Sequence, residues 1–263
     1  MDIIDAHNHI WPEKVACKAR NYLEKVFNYR MMALPVADNL LAYMDKAEIS
    51  KSVISSVASH TEQVIPINNW LFSLKEERFV LFASMHPFLE GFKEELKRIK
   101  DGASGIKLQP EFQNFYVDDE RAFALYEELE KFRIPVLFHC GAELSSTGEI
   151  RSSPERIIKI LEKFSELKVI GAHMGGFLIW KEVLEKLAGK NLYFDTSDSI
   201  RVMKRELLDK LFNKHTFDKI VYGSDFPFGN PEKEVGFIKS LNISEENKRK
   251  ILSFNIKSLL NIS

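Results

Sequence analysis

Short apolar segments alternate with amphipathic segments along the whole chain, and this alternation is the main structural signal of the sequence. Eight apolar runs, rich in β-branched and aromatic residues, have the near-continuous hydrophobicity of parallel strands that are buried on both faces. We predict these strands at residues 3–6, 52–57, 80–85, 105–109, 135–140, 169–173, 192–196 and 220–223. The segments between them carry apolar residues at the spacing of a helix face.

Two of the amphipathic segments also indicate where a helix begins. In DDERAFALYEELEKF, Asp118 is available as the N-cap of the predicted helix. In SSPERIIKILEKF, Ser153 is a candidate cap and Pro154 occupies the first helical position, which proline favours. The C-terminal segment SEENKRKILSFNIKSLLNI predicts one or two closing helices.

Eight strand and helix units in 263 residues predict an α/β fold of the distorted (β/α)8 (TIM) barrel type. No linker rich in Gly, Ser or Pro divides the chain, so we predict one domain over residues 1–263, completed by the C-terminal closing helices. A doubly wound open sheet is the alternative fold. It is disfavoured because no glycine-rich turn follows the first strand to receive a nucleotide phosphate.

Composition narrows the class of partner. The 37 Lys and Arg residues nearly balance the 38 Asp and Glu residues, so no global field favours nucleic acid or an anionic membrane. The cysteines, Cys17 and Cys140, do not resemble a disulfide framework, and we expect neither a leader segment nor a membrane span. We therefore expect a cytoplasmic protein that acts on a small molecule, and a homodimer is compatible with the sequence.

Polar residues follow the predicted strands at the points where active sites of such barrels form, the carboxyl ends of the strands. They are His7 and His9 on strand one, Lys107 on strand four, His139 on strand five, His173 on strand six and Asp225 on strand eight. Side chains two residues apart leave the same face of a strand, so the first two histidines can converge. Imidazoles with a carboxylate suit Zn, Mn or Fe. Taken alone, His139 is better explained as a core histidine, and Asp225 could be a helix cap or a turn residue before Pro227.

The motifs DAHNHI, FHCG, GAHMGG and YGSDFPF, in this order, resemble the amidohydrolase superfamily. The last three, together with GIKLQP, are most similar to its amidohydrolase-related branch, which includes predicted metal-dependent hydrolases and the aminocarboxymuconate-semialdehyde type of decarboxylase. The resemblance implies that a divalent metal, with zinc expected first and manganese or iron as alternatives, is bound by His7, His9, His139 and Asp225. It also implies catalytic roles for Asp225 and His173.

The number of metal ions that the resemblance implies depends on whether Lys107 is carbamylated. Its position is similar to that of a lysine which, when carbamylated, bridges two metals in binuclear members, with His173 as a further ligand. In the amidohydrolase-related branch this lysine often stays a free amine. We therefore expect one metal ion per chain, and two if Lys107 is carbamylated, a modification that the sequence does not display.

The reaction that we expect is hydrolysis of an amide, an ester or a lactone by water that the metal activates. The alternative is a metal-dependent, non-oxidative decarboxylation of an unsaturated or aromatic carboxylic acid. A TatD-like deoxyribonuclease is a weaker reading, because that group carries a glutamate on strand four and this chain has Lys107. A barrel that binds without catalysis also stays open.

Substrate contacts are the least specific part of the sequence. Arg151 and Arg201 lie in the loops after strands five and seven, and either guanidinium could clamp a substrate carboxylate. Trp11, directly after the histidine pair, is a candidate wall of the pocket. Surface charge and ordinary loop packing explain these residues equally well.

Overall fold

The computed structural model of the protein describes residues 2–143 and 148–262, and its centre is a parallel sheet of eight strands in chain order. The strands are β1 (Ile4–Asn8), β2 (Lys51–Ser55), β3 (Phe79–Ser84), β4 (Gly105–Leu108), β5 (Val136–Phe138), β6 (Val169–Gly171), β7 (Tyr193–Asp195) and β8 (Ile220–Val221). Each predicted strand is present, with ends that differ by at most two residues.

The sheet curls until its two edges meet. Ala6 N donates to the carbonyl of Tyr222 at 2.8 Å, and His9 N donates to that of Phe226 at 2.7 Å, which joins the chain around β1 to the chain around and beyond β8. The pairing of β1 with β2 shifts register between Asp5 and Asn8. The fold is therefore the distorted (β/α)8 barrel that the sequence predicts, and the alternative of an open sheet is wrong.

Helices and short helical turns connect the strands. The helices are α1 (Glu13–Phe27), α2 (Ala37–Lys46), α3 (Val64–Ser73), α4 (Phe92–Ile99), α5 (Pro110–Gln113), α6 (Phe123–Phe132), α7 (Pro154–Lys163), α8 (Trp180–Glu182), α9 (Arg205–Lys214), α10 (Pro231–Ser240), α11 (Glu245–Arg249) and α12 (Asn255–Leu260). Within the described ranges, no helix combines the length and the hydrophobicity needed to cross a bilayer.

The predicted helix starts are right at one helix and wrong at the other. Helix α7 begins at Pro154 after Ser153, although the serine side chain makes no capping hydrogen bond. The cap before α6 is Asp119, whose side chain accepts from Arg121 N in a 3-10 turn, and not Asp118. Asp118 instead forms ion pairs with Arg156 and Lys159, because two cations from the neighbouring α7 lie within reach of its carboxylate.

The closing helices are present and cover the amino end of the barrel. A separate buried cluster combines strand residues with residues of α12. It consists of Ile4, Ala6, Val53, Val80, Phe82, Leu137, Ile170, Ala172, Val221, Ile256, Leu259 and Leu260. Lys257 pairs with Asp2, and Lys168 donates to the carbonyl of Leu259, which ties α12 to residues that precede β1 and β6. The opposite, carboxyl end is open.

Candidate metal centre

A cavity of about 880 Å³ opens at the carboxyl ends of the strands. All six polar residues that the sequence places at strand ends line it: His7, His9, Lys107, His139, His173 and Asp225. The barrel brings them together because parallel strands deliver their last residues to one face.

His7, His9 and Asp225 form a compact group that could hold a metal ion. Their ligand atoms lie within 4.8 Å of one another. The two Nε2 atoms are 3.1 Å apart, and Asp225 Oδ1 is 3.3 Å from His9 Nε2 and 3.6 Å from His7 Nε2. Two donor atoms that bind one ion at about 2.1 Å are separated by roughly 3.0–3.4 Å. Two of the three separations fall in this range and the third exceeds it by 0.2 Å, so the group has about the size of a site for one small divalent cation.

The tautomers of this histidine pair are set by acceptors behind them. His7 Nδ1 donates to Asp195 Oδ2 at 3.0 Å, and His9 Nδ1 donates to the carbonyl of Ser55 at 3.0 Å. A carbonyl can only accept, so Nδ1 of His9 carries the proton and its Nε2 offers a lone pair. The same arrangement holds for His7 opposite a carboxylate. Such partners orient histidine ligands and make them more basic.

His139 and His173 form a second facing pair. His173 Nε2 lies 3.1 Å from His139 Nδ1. Each ring is held from behind by a carbonyl, that of Ala142 for His139 Nε2 at 3.3 Å and that of Ser197 for His173 Nδ1 at 3.2 Å. Lone pairs thus face one another here too, an arrangement that a cation between the rings or beside them relieves. His139 is not within the group formed by His7, His9 and Asp225, so its role as a ligand of that ion stays a prediction.

Burial keeps the imidazoles in the form that binds metal. Removal from water lowers the pKa of His7 and His139, and it lowers the pKa of His173 to about 4. Burial likewise lowers the pKa of Lys107, whose Nζ lies 3.1 Å from His7 Nε2. Neutral imidazole is the ligand form, so the site is prepared for a cation at neutral pH.

Asp225 supplies the strongest sign that a cation belongs here. Its Oδ1 is buried and accepts no hydrogen bond from any described residue. A buried anionic oxygen without a donor is costly unless it binds a metal. The backbone of Asp225 is also in the left-handed region, with φ of 56°. Such strained conformations are common at functional sites.

Three residues of the site come from the chain at and after β7, where sequence reasoning considered only Arg201. Asp195 binds His7 and also accepts from the backbone N of His173 at 3.0 Å, so one carboxylate positions both histidines. Ser197 Oγ donates to Asp195 and lies 3.0 Å from His173 Nδ1. Asp198 lines the cavity, and burial together with Asp225 raises its pKa. The available signal was that β7 ends in aspartate, as other strands end in polar residues.

Of the three predicted substrate contacts, one lines the cavity and two do not. Trp11 lines the cavity, with its ring centroid 6.2 Å from that of His9. Arg151 and Arg201 do not line it. The guanidinium of Arg151 lies over the ring of Tyr116, and that of Arg201 pairs with the buried Glu234 at 2.9 Å. Each of these guanidinium groups contacts a residue that is far from it in the sequence.

The sequence profile of the amidohydrolase family matches residues 4–262. The chain belongs to the amidohydrolase family. A search of curated proteins gave no match.

Solved structures share the whole fold of this amidohydrolase. They include 2,6-dihydroxybenzoate decarboxylase from Rhizobium, with 16% identity, 99% of each chain covered and a TM-score of 0.74. 5-Carboxyvanillate decarboxylase from Sphingomonas paucimobilis has 14% identity, covers 100% of this chain and 99% of its own, and has a TM-score of 0.77. The dihydroxybenzoic acid decarboxylase of Polaromonas sp. JS666, solved with manganese and 2-nitroresorcinol, has 17% identity, coverage of 99% and 97% and a TM-score of 0.75. At these identities the likeness establishes the barrel alone.

Proposed function

We propose that this amidohydrolase is a metal-dependent, non-oxidative decarboxylase of an unsaturated or aromatic carboxylic acid. The observation that carries the proposal is the convergence of His7, His9 and the unpartnered Asp225 Oδ1 beside the buried Lys107. Structural neighbours with the same barrel decarboxylate hydroxylated benzoates, which supports this reaction over hydrolysis.

His7, His9 and Asp225 would hold one ion, with His139 as the further predicted ligand. Bound there, the ion supplies positive charge that orients and polarises an anionic substrate. Manganese is the metal to test first, because two of the neighbouring decarboxylases were solved with it, and zinc the second.

The chain's own groups account for the rest of the reaction. The Lys107 ammonium is the sole Lys or Arg side chain among the described lining residues, and we assign it to the substrate carboxylate. Asp225 and His173 take up a proton from water and move it to the carbon that carries this carboxylate. The new C–H bond forms, the C–C bond to the carboxylate breaks, its electron pair stays with the ring or double bond, and carbon dioxide leaves.

Hydrolysis of a neutral amide, ester or lactone is the second candidate, and one observation favours it. The described lining carries four carboxylates, Glu62, Glu143, Asp198 and Asp225, against the single Lys107. This charge balance suits a neutral substrate. The family match offers no support for the deoxyribonuclease reading.

The test is a reaction screen on protein loaded with Mn²⁺ or Zn²⁺. Elemental analysis should find about one divalent ion per chain. Carbon dioxide release from hydroxybenzoates or unsaturated acids supports decarboxylation, whereas proton release from lactones or amides with no carbon dioxide contradicts it. Native mass spectrometry should find Lys107 without the added mass of carbon dioxide; a carbamate with two ions per chain would replace the mononuclear proposal.

A further inference from the structure

Exposed apolar side chains gather around the mouth of the cavity. Seven large hydrophobic residues are exposed in the described part of the chain: Val15, Tyr22, Tyr29, Ile65, Leu178, Val202 and Phe254. Four of them, Tyr22, Tyr29, Leu178 and Val202, line the cavity, and we call these four the apolar rim. A cluster of exposed hydrophobic residues on a folded protein marks a binding surface.

The apolar surface continues from the rim into the barrel along one face of α1. Ala19, Leu23 and Phe27 line the cavity at four-residue spacing, so they lie along one side of the helix. The ring of Phe27 stacks on that of Phe112 at 5.8 Å and meets that of Phe228 edge-on at 5.4 Å. These aromatic rings form an apolar wall between the rim and the polar end of the cavity.

The metal centre and Lys107 lie at the strand ends, and Trp11, beside His9, is where the apolar lining begins. A second set of polar side chains, from the loop after β2, lines another part of the cavity: Ser59, His60, Glu62 and Gln63. A volume of about 880 Å³ is near the upper end of the roughly 300–1,000 Å³ typical of pockets for drug-sized ligands. A ligand that fills it must pair a polar end with a large hydrophobic one.

We infer that the substrate is amphipathic, with a polar, metal-binding head at the strand ends and an elongated apolar body that follows α1 to the apolar rim. The inference rests on the proposed metal centre for the head alone. A second protein chain on the rim is a poorer occupant, because the same apolar surface continues inside the barrel past Leu23 and Phe27, where another folded chain does not reach.

Alkyl hydroxamates test the inference without depending on the reaction, because a hydroxamate chelates a divalent ion whether the site decarboxylates or hydrolyses. The probes are acetohydroxamate, hexanohydroxamate and octanohydroxamate on Mn²⁺-loaded protein, with Kd measured by calorimetry. A buried methylene strengthens binding by up to about fourfold. We expect Kd to fall by about 30-fold or more from acetohydroxamate to hexanohydroxamate, and to fall further with octanohydroxamate. Equal Kd values for the three probes would overturn the inference.

If the protein lacks the proposed metal centre, the binding data differ from those that would overturn the inference. Acetohydroxamate would then bind no better to loaded than to metal-free protein, whereas a preference for longer tails would persist if the apolar wall binds them.

Matched substitutions locate the tail. Leu178→Ser on the rim should raise the Kd of octanohydroxamate by at least about threefold. The Kd of acetohydroxamate should stay the same. Phe254→Ser is the control, because both side chains are 54% exposed but Phe254 does not line the cavity. Equal effects of the two substitutions would contradict the assignment. So would light scattering that shows a dimer for the parent and a monomer for Leu178→Ser, since a second copy would then cover the rim.

Discussion

The two ends of the barrel are formed by the same strands but differ in polarity and packing. At the amino end, Ile256, Leu259 and Leu260 of α12 pack on apolar strand residues such as Ile4 and Val221, and the cluster is closed. At the carboxyl end the strands end in imidazoles and carboxylates, including a buried Asp225 oxygen without a donor. The barrel obtains stability at one end, and this rigid base can hold an energetically costly polar site at the other.

Two histidines make the contrast concrete. His215, which follows α9, is satisfied on both nitrogens: Nδ1 accepts from Gly189 N at 3.1 Å, and Nε2 donates to the carbonyl of Lys219 at 3.3 Å. His9 is satisfied on Nδ1 alone, while its Nε2 faces His7 and Asp225. A buried histidine with two partners is structural, whereas one whose free lone pair converges with others points to a metal.

The largest expected effect is at the open end. Asp225→Asn should lower turnover by about 10²- to 10⁴-fold, because the amide cannot carry the proton and is a poorer ligand. The melting temperature should stay close to that of the parent, since the amide keeps the shape of the carboxylate. Asp218→Asn, on the surface, is the control. Unchanged turnover in Asp225→Asn would remove this residue from the mechanism.

The closed end should respond in the opposite way. Ile256→Ala removes a fully buried side chain from the cluster with α12. We expect the free energy of unfolding to fall by about 2–5 kcal/mol, through lost burial and the cavity left behind. Chemical denaturation measures this loss. Turnover per folded molecule should not change; a parallel loss of turnover in folded protein would show that the two ends are not independent.

His215 predicts a pH dependence that does not involve the metal centre. Burial lowers its pKa to about 4, whereas the unfolded chain titrates near 6.5. The unfolded state therefore binds more protons below about pH 6.5, so the stability contributed by neutral His215 is present above that pH and is lost as pH falls towards 4. Between pH 7.5 and 4.5 the loss should be about 2–3 kcal/mol.

His215→Gln is the variant that isolates this effect. It should be less stable than the parent at pH 7.5 but lose less stability on acidification, as measured by urea unfolding at both pH values. An identical loss in parent and variant would assign the acid sensitivity to other groups.

Asp195→Asn should produce the smallest change, and it tests the support behind the metal centre. Loss of the charge behind His7 makes this imidazole a weaker ligand, so metal affinity should fall by about 10- to 100-fold. Competition with a chelator measures the affinity. Asp209→Asn, in an exposed ion pair with Arg205, is the matched control. Unchanged affinity in Asp195→Asn would limit Asp195 to a structural role.

Much of the fold and part of the site followed from local patterns. Eight apolar runs predicted eight strands. The polar residues at the ends of these runs predicted which side chains line the cavity, because the carboxyl ends of parallel strands lie on one face of the barrel. The cap of α6 was mispredicted between adjacent aspartates. Asp118 and Asp119 are equivalent in sequence, and only Arg156 and Lys159, brought close by α7, distinguish them.

The sequence by itself determined the barrel, the family and the set of candidate ligands, since these depend on periodicity, motif order and residue type. Tertiary structure alone decided that Asp195 supports His7 and His173, that Arg201 pairs with Glu234 and not with the cavity, and that exposed apolar residues meet at one mouth. These facts join residues far apart in the chain. Their contacts depend on side-chain directions that only the folded barrel specifies.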